Sequence, residues 1–343
     1  MNKYLLVILA FVITTGFTAR FLMQPSVYDR DTPVSSILIA LGEQAPDHYV
    51  ANIDMDKVSL GKDIVLTGRA YLPDGTYSQP VSKYFICTDC HNVLPEAPFA
   101  DDNDPTSRLK YAMEFNQPYL PGSTFHGIAN RTSWFNGDHE KKYGTEMIAP
   151  TRHDLKKAIQ LCSKECSSGR LLEDWELEAM LHYFSALELK LKDLDLTEEQ
   201  LAQISATGQT EAQKQENIKL IRSKFIQGYP ASFVEAIPAK ERKLGETGNL
   251  EHGKWIYDKS CMHCHAEGRV TRTVFGDKPG QKNFAWLASY FKKSNGGSVY
   301  WITRHGTAAS EKTPMYMPIY SKEKLSDEQI EDLAAYILAE TKK

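Results

Sequence analysis

The 343-residue sequence has no excess of charge of either sign: 40 lysines and arginines stand against 44 aspartates and glutamates, for a net charge of −4. That balance argues against a nucleic-acid partner. Long apolar runs are scarce. The run from Tyr4 to Phe17, behind Asn2-Lys3, falls short of the ~20 residues that a membrane span takes. It lengthens only if Arg20 snorkels and Phe21-Leu22-Met23 lie in the interface. A basic residue ahead of an apolar core is export-signal logic. No small-x-small cleavage site follows, and no cysteine there could carry a lipid. Residues 1–24 are therefore expected to be a signal peptide or an N-terminal membrane anchor. The chain is expected to be exported and periplasmic, and, if this segment is an anchor, held by it at the inner membrane. Cysteine is also sparse, with six in all, and their spacing directs the rest of the reading.

Four of the six fall in two copies of one pattern, Cys87-Thr88-Asp89-Cys90-His91 and Cys261-Met262-His263-Cys264-His265. Cys-x-x-Cys-His is the attachment signal for c-type haem. Two thiols on one helical turn can each bond a vinyl group of the same haem, and the adjoining histidine binds iron from below. A single copy could be a redox dithiol or half a zinc site; two copies, each with histidine behind the second cysteine, disfavour both. We expect two haem c groups, bonded through Cys87, Cys90, Cys261 and Cys264, with His91 and His265 as proximal ligands. The remaining Cys162 and Cys166 would meet an oxidising compartment. A disulfide between them is expected, with local unwinding because an ideal i, i+4 pair is near the upper limit of Cα separation. The alternative is two reduced cysteines on one helical face.

Residues 25–57, with Pro25, Pro33 and Pro46, read as a tether, and a first haem unit is expected over 58–190. Within it, Asp74-Gly75 lies between Ile64-Val65-Leu66 and Tyr84-Phe85-Ile86, which predicts a small β-hairpin insertion. Pro95 to Pro105 should be an irregular loop. Residues 191–247 read as a helical linker with Thr197 as an N-cap, and 248–343 as a second haem unit. Leu172 to Phe184 aligns without gaps on Leu325 to Ile337 at a constant offset of 153 residues. Upstream, Leu60-Gly61-Lys62 echoes His252-Gly253-Lys254, which makes the chain an internal duplication.

Each half thus runs helix, Cys-x-x-Cys-His, loop, methionine, C-terminal helix, and that order resembles the class I cytochrome c family over about 58–190 and 248–340. Gly253, Tyr257 and Tyr336 stand where that family's first and last helices cross. The resemblance implies a mainly α fold: two class I cytochrome c-like helical domains, the first with its β-hairpin insertion, joined by the helical linker. It also implies a methionine as second axial ligand, which raises the potential and closes the iron. In the family a Met followed by Pro takes this place, so Met317 is preferred to Met315. In the first half Met147 lies 56 residues beyond His91, against 52 from His265 to Met317. Met113, His126 and His153 are the alternatives, while Met180 belongs to the helix core.

His48, His139, His182 and His252 read as surface or rim residues, and His305 as a hydrogen-bonding residue. Arg304 is a candidate propionate contact. Trp286, Tyr290, Tyr300 and Trp301 are candidates to wall the second haem. No catalytic acid–base pair is called for. The expected function is electron transfer by a dihaem c-type cytochrome, as a carrier or as a subunit of a respiratory or photosynthetic membrane complex, with other redox proteins as partners. The competing expectation is a dihaem peroxidase-like enzyme with one open iron.

Overall fold

The computed structural model describes residues 28–293, 297–307 and 317–343, so the N-terminal apolar run and Met315 lie outside the described residues. Among those described, the chain is mainly helical, carries no β-strand, and has no helix long and apolar enough to cross a membrane. Helix α1 (Val34–Ala40) precedes α2 (Met55–Thr67). The Asp54 carboxylate accepts from the backbone N–H groups of Asp56 and Lys57 at the start of α2, and Gly68 closes it. Ile64 and Val65 are fully buried on this helix. They are therefore not available as the first strand of the expected hairpin. Asp74-Gly75 does turn the chain, but only a single antiparallel bridge, Tyr71 with Tyr77, forms across it.

The first cysteine–histidine motif sits on a 3-10 turn, Cys87–Asp89. At the end of the stretch expected to be a loop, α3 (Pro105–Glu114) forms, capped by Asp104. Its Leu109 and Ala112, with Tyr119, pack into the core of the second half. Helices α4 (Gly137–Tyr143), α5 (Thr145–Ile148) and α6 (Leu155–Leu161) follow; α6 runs into a π-helical turn at Cys162–Cys166. Helix α7 (Asp174–Ala186) then crosses α2. Val58, Ile64, Val65, Leu155, Met180 and Phe184 lie in the first core.

The stretch expected to be a spacer has a core of its own. Helices α8 (Glu198–Ile204) and α9 (Glu211–Ser223), each with a threonine N-cap, bury Leu201, Ile204, Ile218 and Ile221 against Ile37 and Leu38 of α1. Tether and linker thus pack as one apolar cluster.

In the second half, α10 (Leu250–Ile256) continues through a π-helical turn, Tyr257–Cys261, into α11 (Met262–His265). The second cysteine–histidine motif is therefore delivered by the end of one helical segment. Helices α12 (Phe284–Ala288), α13 (Val299–His305) and α14 (Asp327–Glu340) complete the fold. Ser326 and Gln329 form a reciprocal capping box at the start of α14. The α10–α14 crossing repeats the α2–α7 crossing. A Cβ on Gly253 would run into the Asp332 carbonyl, and a Cβ on Gly61 into that of Ala179. Asp332 and Ala179 are again 153 residues apart, so the same residue type permits the same close approach at corresponding places.

Candidate functional site: two cysteine–histidine motifs in contact

The two histidines that follow the cysteine pairs are held in one geometry. His265 Nδ1 lies 2.6 Å from the Thr273 carbonyl oxygen, and its ring stacks on Phe275 with centroids 4.2 Å apart. His91 Nδ1 lies 2.7 Å from the Ser123 carbonyl oxygen and its ring stacks on Phe125 at 4.6 Å. A carbonyl only accepts, so each Nδ1 carries the proton and donates. Each Nε2 is left with its lone pair available for a metal, the arrangement typical of a ligating histidine with an outer hydrogen-bond partner. Burial lowers both imidazole pKa values, which keeps the rings neutral. Gly122 makes the first arrangement possible: a Cβ there would stand 2.5 Å from the His91 ring, and the Gly122 N–H donates to the Cys90 carbonyl.

Ser123, Phe125, Thr273 and Phe275 escaped the sequence reading because Ser123 lies 32 residues beyond its histidine and Thr273 only 8 beyond the other. The inserted stretch that carries α3 accounts for the difference. A signal was present, since Ser123-Thr124-Phe125 and Thr273-Val274-Phe275 share a hydroxyl residue, a β-branched residue and a phenylalanine.

Burial raises the Cys87, Cys261 and Cys264 thiols to about 12 and Cys90 well above the usual range. No group of three or more His, Cys, Asp or Glu among the described residues is placed to hold a metal ion. The two motifs also touch. His263 Nε2 is 3.1 Å from the Thr88 carbonyl oxygen, and Cys264 Sγ is 4.0 Å from that of Asp89. Behind them, Glu96, buried in the first half, binds Arg108 at 3.2 Å and Lys324 of the second half at 2.7 Å. Burial alone would raise the Glu96 pKa, but the two cations outweigh it and bring the carboxyl to about 2.

The other residues singled out from sequence are distributed as follows. Met317 is fixed through its backbone: its N–H donates to Thr307 Oγ1 at 2.8 Å, and its carbonyl accepts from the Thr307 N–H at 3.0 Å. Gly306 lies at φ +60° beneath it, where a Cβ would collide with the Met317 carbonyl. Arg304 is buried, with Nη2 on Asp327 at 2.6 Å and Nη1 on the Tyr320 carbonyl at 3.1 Å. It therefore braces the α13–α14 connection on which Met317 stands. His305 stacks on Trp301 and bonds that residue's carbonyl and Glu235. Tyr300 is buried and donates to Glu331.

Met147 is 40% exposed on α5, ahead of α6 in the chain, whereas Met317 follows α13. Met113 packs against the core of the second half, His126 is 3.6 Å from Asp193, and His153 bonds the Thr132 carbonyl. Met180 is buried in the first core. His48 and His182 are buried rather than at the surface: His48 bonds the Ala129 carbonyl, and His182 Nδ1 accepts from the Asp54 N–H. Cys162 and Cys166 share a side-chain hydrogen bond, and no disulfide links the described cysteines.

Two thiols on one turn beside an imidazole with its Nδ1 tied to a carbonyl fit covalent haem, the donor set used by c-type cytochromes. In agreement, residues 248–337 match the family model for subunit III of cbb3-type cytochrome c oxidase, so this part of the chain is a cytochrome c-like domain with a haem c electron-transfer role. No curated protein matches the chain by sequence comparison.

Proposed function

We propose that the protein is a dihaem c-type cytochrome that passes single electrons between redox partners of a respiratory chain outside the cytoplasm. Two class I cytochrome c-like domains, about 58–190 and 248–343, each hold one haem c. Cys87 and Cys90 form the thioether bonds of the first, and Cys261 and Cys264 those of the second. Bound haem supplies a one-electron ferric–ferrous couple. His91 and His265 serve as proximal ligands, oriented by the Ser123 and Thr273 carbonyls. Met317 caps the second iron from a loop base fixed by Thr307, Gly306 and Arg304.

The observation that carries this reading is the contact between the motifs: Thr88 and Asp89 lie against His263 and Cys264. Porphyrins bonded to these cysteines start from adjoining backbone segments, which suits electron exchange between them. The N-terminal apolar run would export the chain and hold it near membrane-bound partners. Mass analysis of the exported protein tests the proposal. Two covalent haem additions are expected; a single addition, or none, overturns it.

A further inference from the structure

The connection between α6 and α7 contains no methionine, although the corresponding connection between α13 and α14 carries Met317. Met317 stands ten residues ahead of α14, and the nearest sulfur in the matching place is Cys166, eight residues ahead of α7. Cys166 closes a π-helical turn, in which the Ser167 N–H donates to the Cys162 carbonyl. Single π turns within helices are frequent at functional sites.

This turn is fastened to the chain that leads into the first haem motif. Ser82 Oγ donates to the Ser167 carbonyl at 2.5 Å and accepts from the Tyr84 N–H at 2.9 Å, while the Arg170 N–H donates to the Val81 carbonyl. Ser163 Oγ donates to the Arg170 carbonyl, and Gln160 holds the Leu172 backbone at both its N–H and its carbonyl. The turn is thereby near enough to the first motif for Cys162 to interact electrostatically with Cys87 and Cys90, and Cys166 with Cys90. By contrast, the residues weighed as alternatives, Met113, His126 and His153, are engaged elsewhere.

We propose that Cys166, as a thiolate, is the second axial ligand of the first haem iron, with the Cys162 thiol beside it as a hydrogen-bond partner. This inference rests on the dihaem reading above. On coordination the Cys166 S–H bond breaks, its proton leaves to solvent, and the sulfur pair forms the bond to ferric iron; no electron is exchanged with the protein. An anionic sulfur favours the ferric state, so the first haem has a lower potential than the methionine-capped second. The halves would then be unequal by design: one low-potential and one high-potential haem give the electron a direction.

The test uses the purified full-length holoprotein, with haem content checked first by haem stain on a denaturing gel. Oxidised wild type should show two low-spin paramagnetic signals, one of thiolate–imidazole type, and two separated potentials. Cys166→Met should abolish the thiolate-type signal and raise the lower potential towards the upper one. Cys166→Ala should give a high-spin or carbon monoxide-binding first haem, whereas Met147→Ala should leave both signals unchanged. Two haems with spectra and potentials unaffected by either Cys166 variant would overturn the inference while leaving the dihaem reading intact. So would loss of a signal in Met147→Ala, or a Cys162–Cys166 disulfide found by mass mapping of the native protein. Fewer than two haems in the wild type would instead overturn the dihaem reading itself.

Discussion

Gly306 lies so close under the Met317 carbonyl that no side chain fits between them. Its backbone, at φ +60° and ψ −158°, is also in a region that essentially glycine alone occupies. Gly306→Ala should therefore cost about 1–3 kcal/mol and displace the base of the loop that presents Met317. The expected outcome is carbon monoxide binding at the second haem, with its potential lowered. An unaltered reduced spectrum would show that the loop base does not control this ligand.

Met317→Ala removes the thioether while leaving the backbone bonds to Thr307 in place. It should open the second iron and lower its potential more cleanly than Gly306→Ala, with the first haem unchanged. A redox titration followed optically checks this, and loss of both haem potentials together would argue against assignment of Met317 to the second iron alone.

The helix crossings predict a stability effect separate from the haem ligands. Gly253→Ala forces a methyl group into the Asp332 carbonyl across α10 and α14. Overpacking of this kind costs ~1–3 kcal/mol. Thermal unfolding followed by circular dichroism should show a lower midpoint. Gly61→Ala, which meets Ala179, should do the same.

Glu96 is the carboxylate between Arg108 and Lys324, and Lys324 comes from the other half of the chain. Its carboxyl titrates near 2 when folded, against 4.5 ordinarily. A depressed folded-state pKa contributes stability that is present above the ordinary value and lost as pH falls from about 4.5 towards about 2. Glu96→Gln should cost about 3–5 kcal/mol, because it leaves buried Arg108 without its counter-charge, while Lys324, already held down to about 7 by burial, sheds its proton. The variant should also lose part of the acid dependence of unfolding in that window. An identical pH profile in the two proteins would show that the cluster does not link the halves.

What the sequence disclosed was mostly local. Both cysteine–histidine motifs, the offset between the C-terminal helices, and the Gly61 and Gly253 positions follow from spacings within one or two turns. Long-range packing was hidden. Leu109 and Tyr119 sit in an insertion of the first half yet pack in the second, and Ile37 of the tether meets Ile221 of the supposed spacer. Neither pairing has a signature in residue spacing. The hairpin reading failed in part because Ile64 and Val65, β-prone by type, are more completely buried on a helix. The Met147 count runs through the insertion around α3: counted instead from the stacked phenylalanines, Met147 stands 22 residues beyond Phe125 and Met317 stands 42 beyond Phe275.

The abutment of Thr88 and Asp89 on His263 and Cys264 also bears on how such a molecule is made. In the dihaem reading both attachments are made at one seam between the halves, so the order of cofactor insertion and closure bears on how the chain matures.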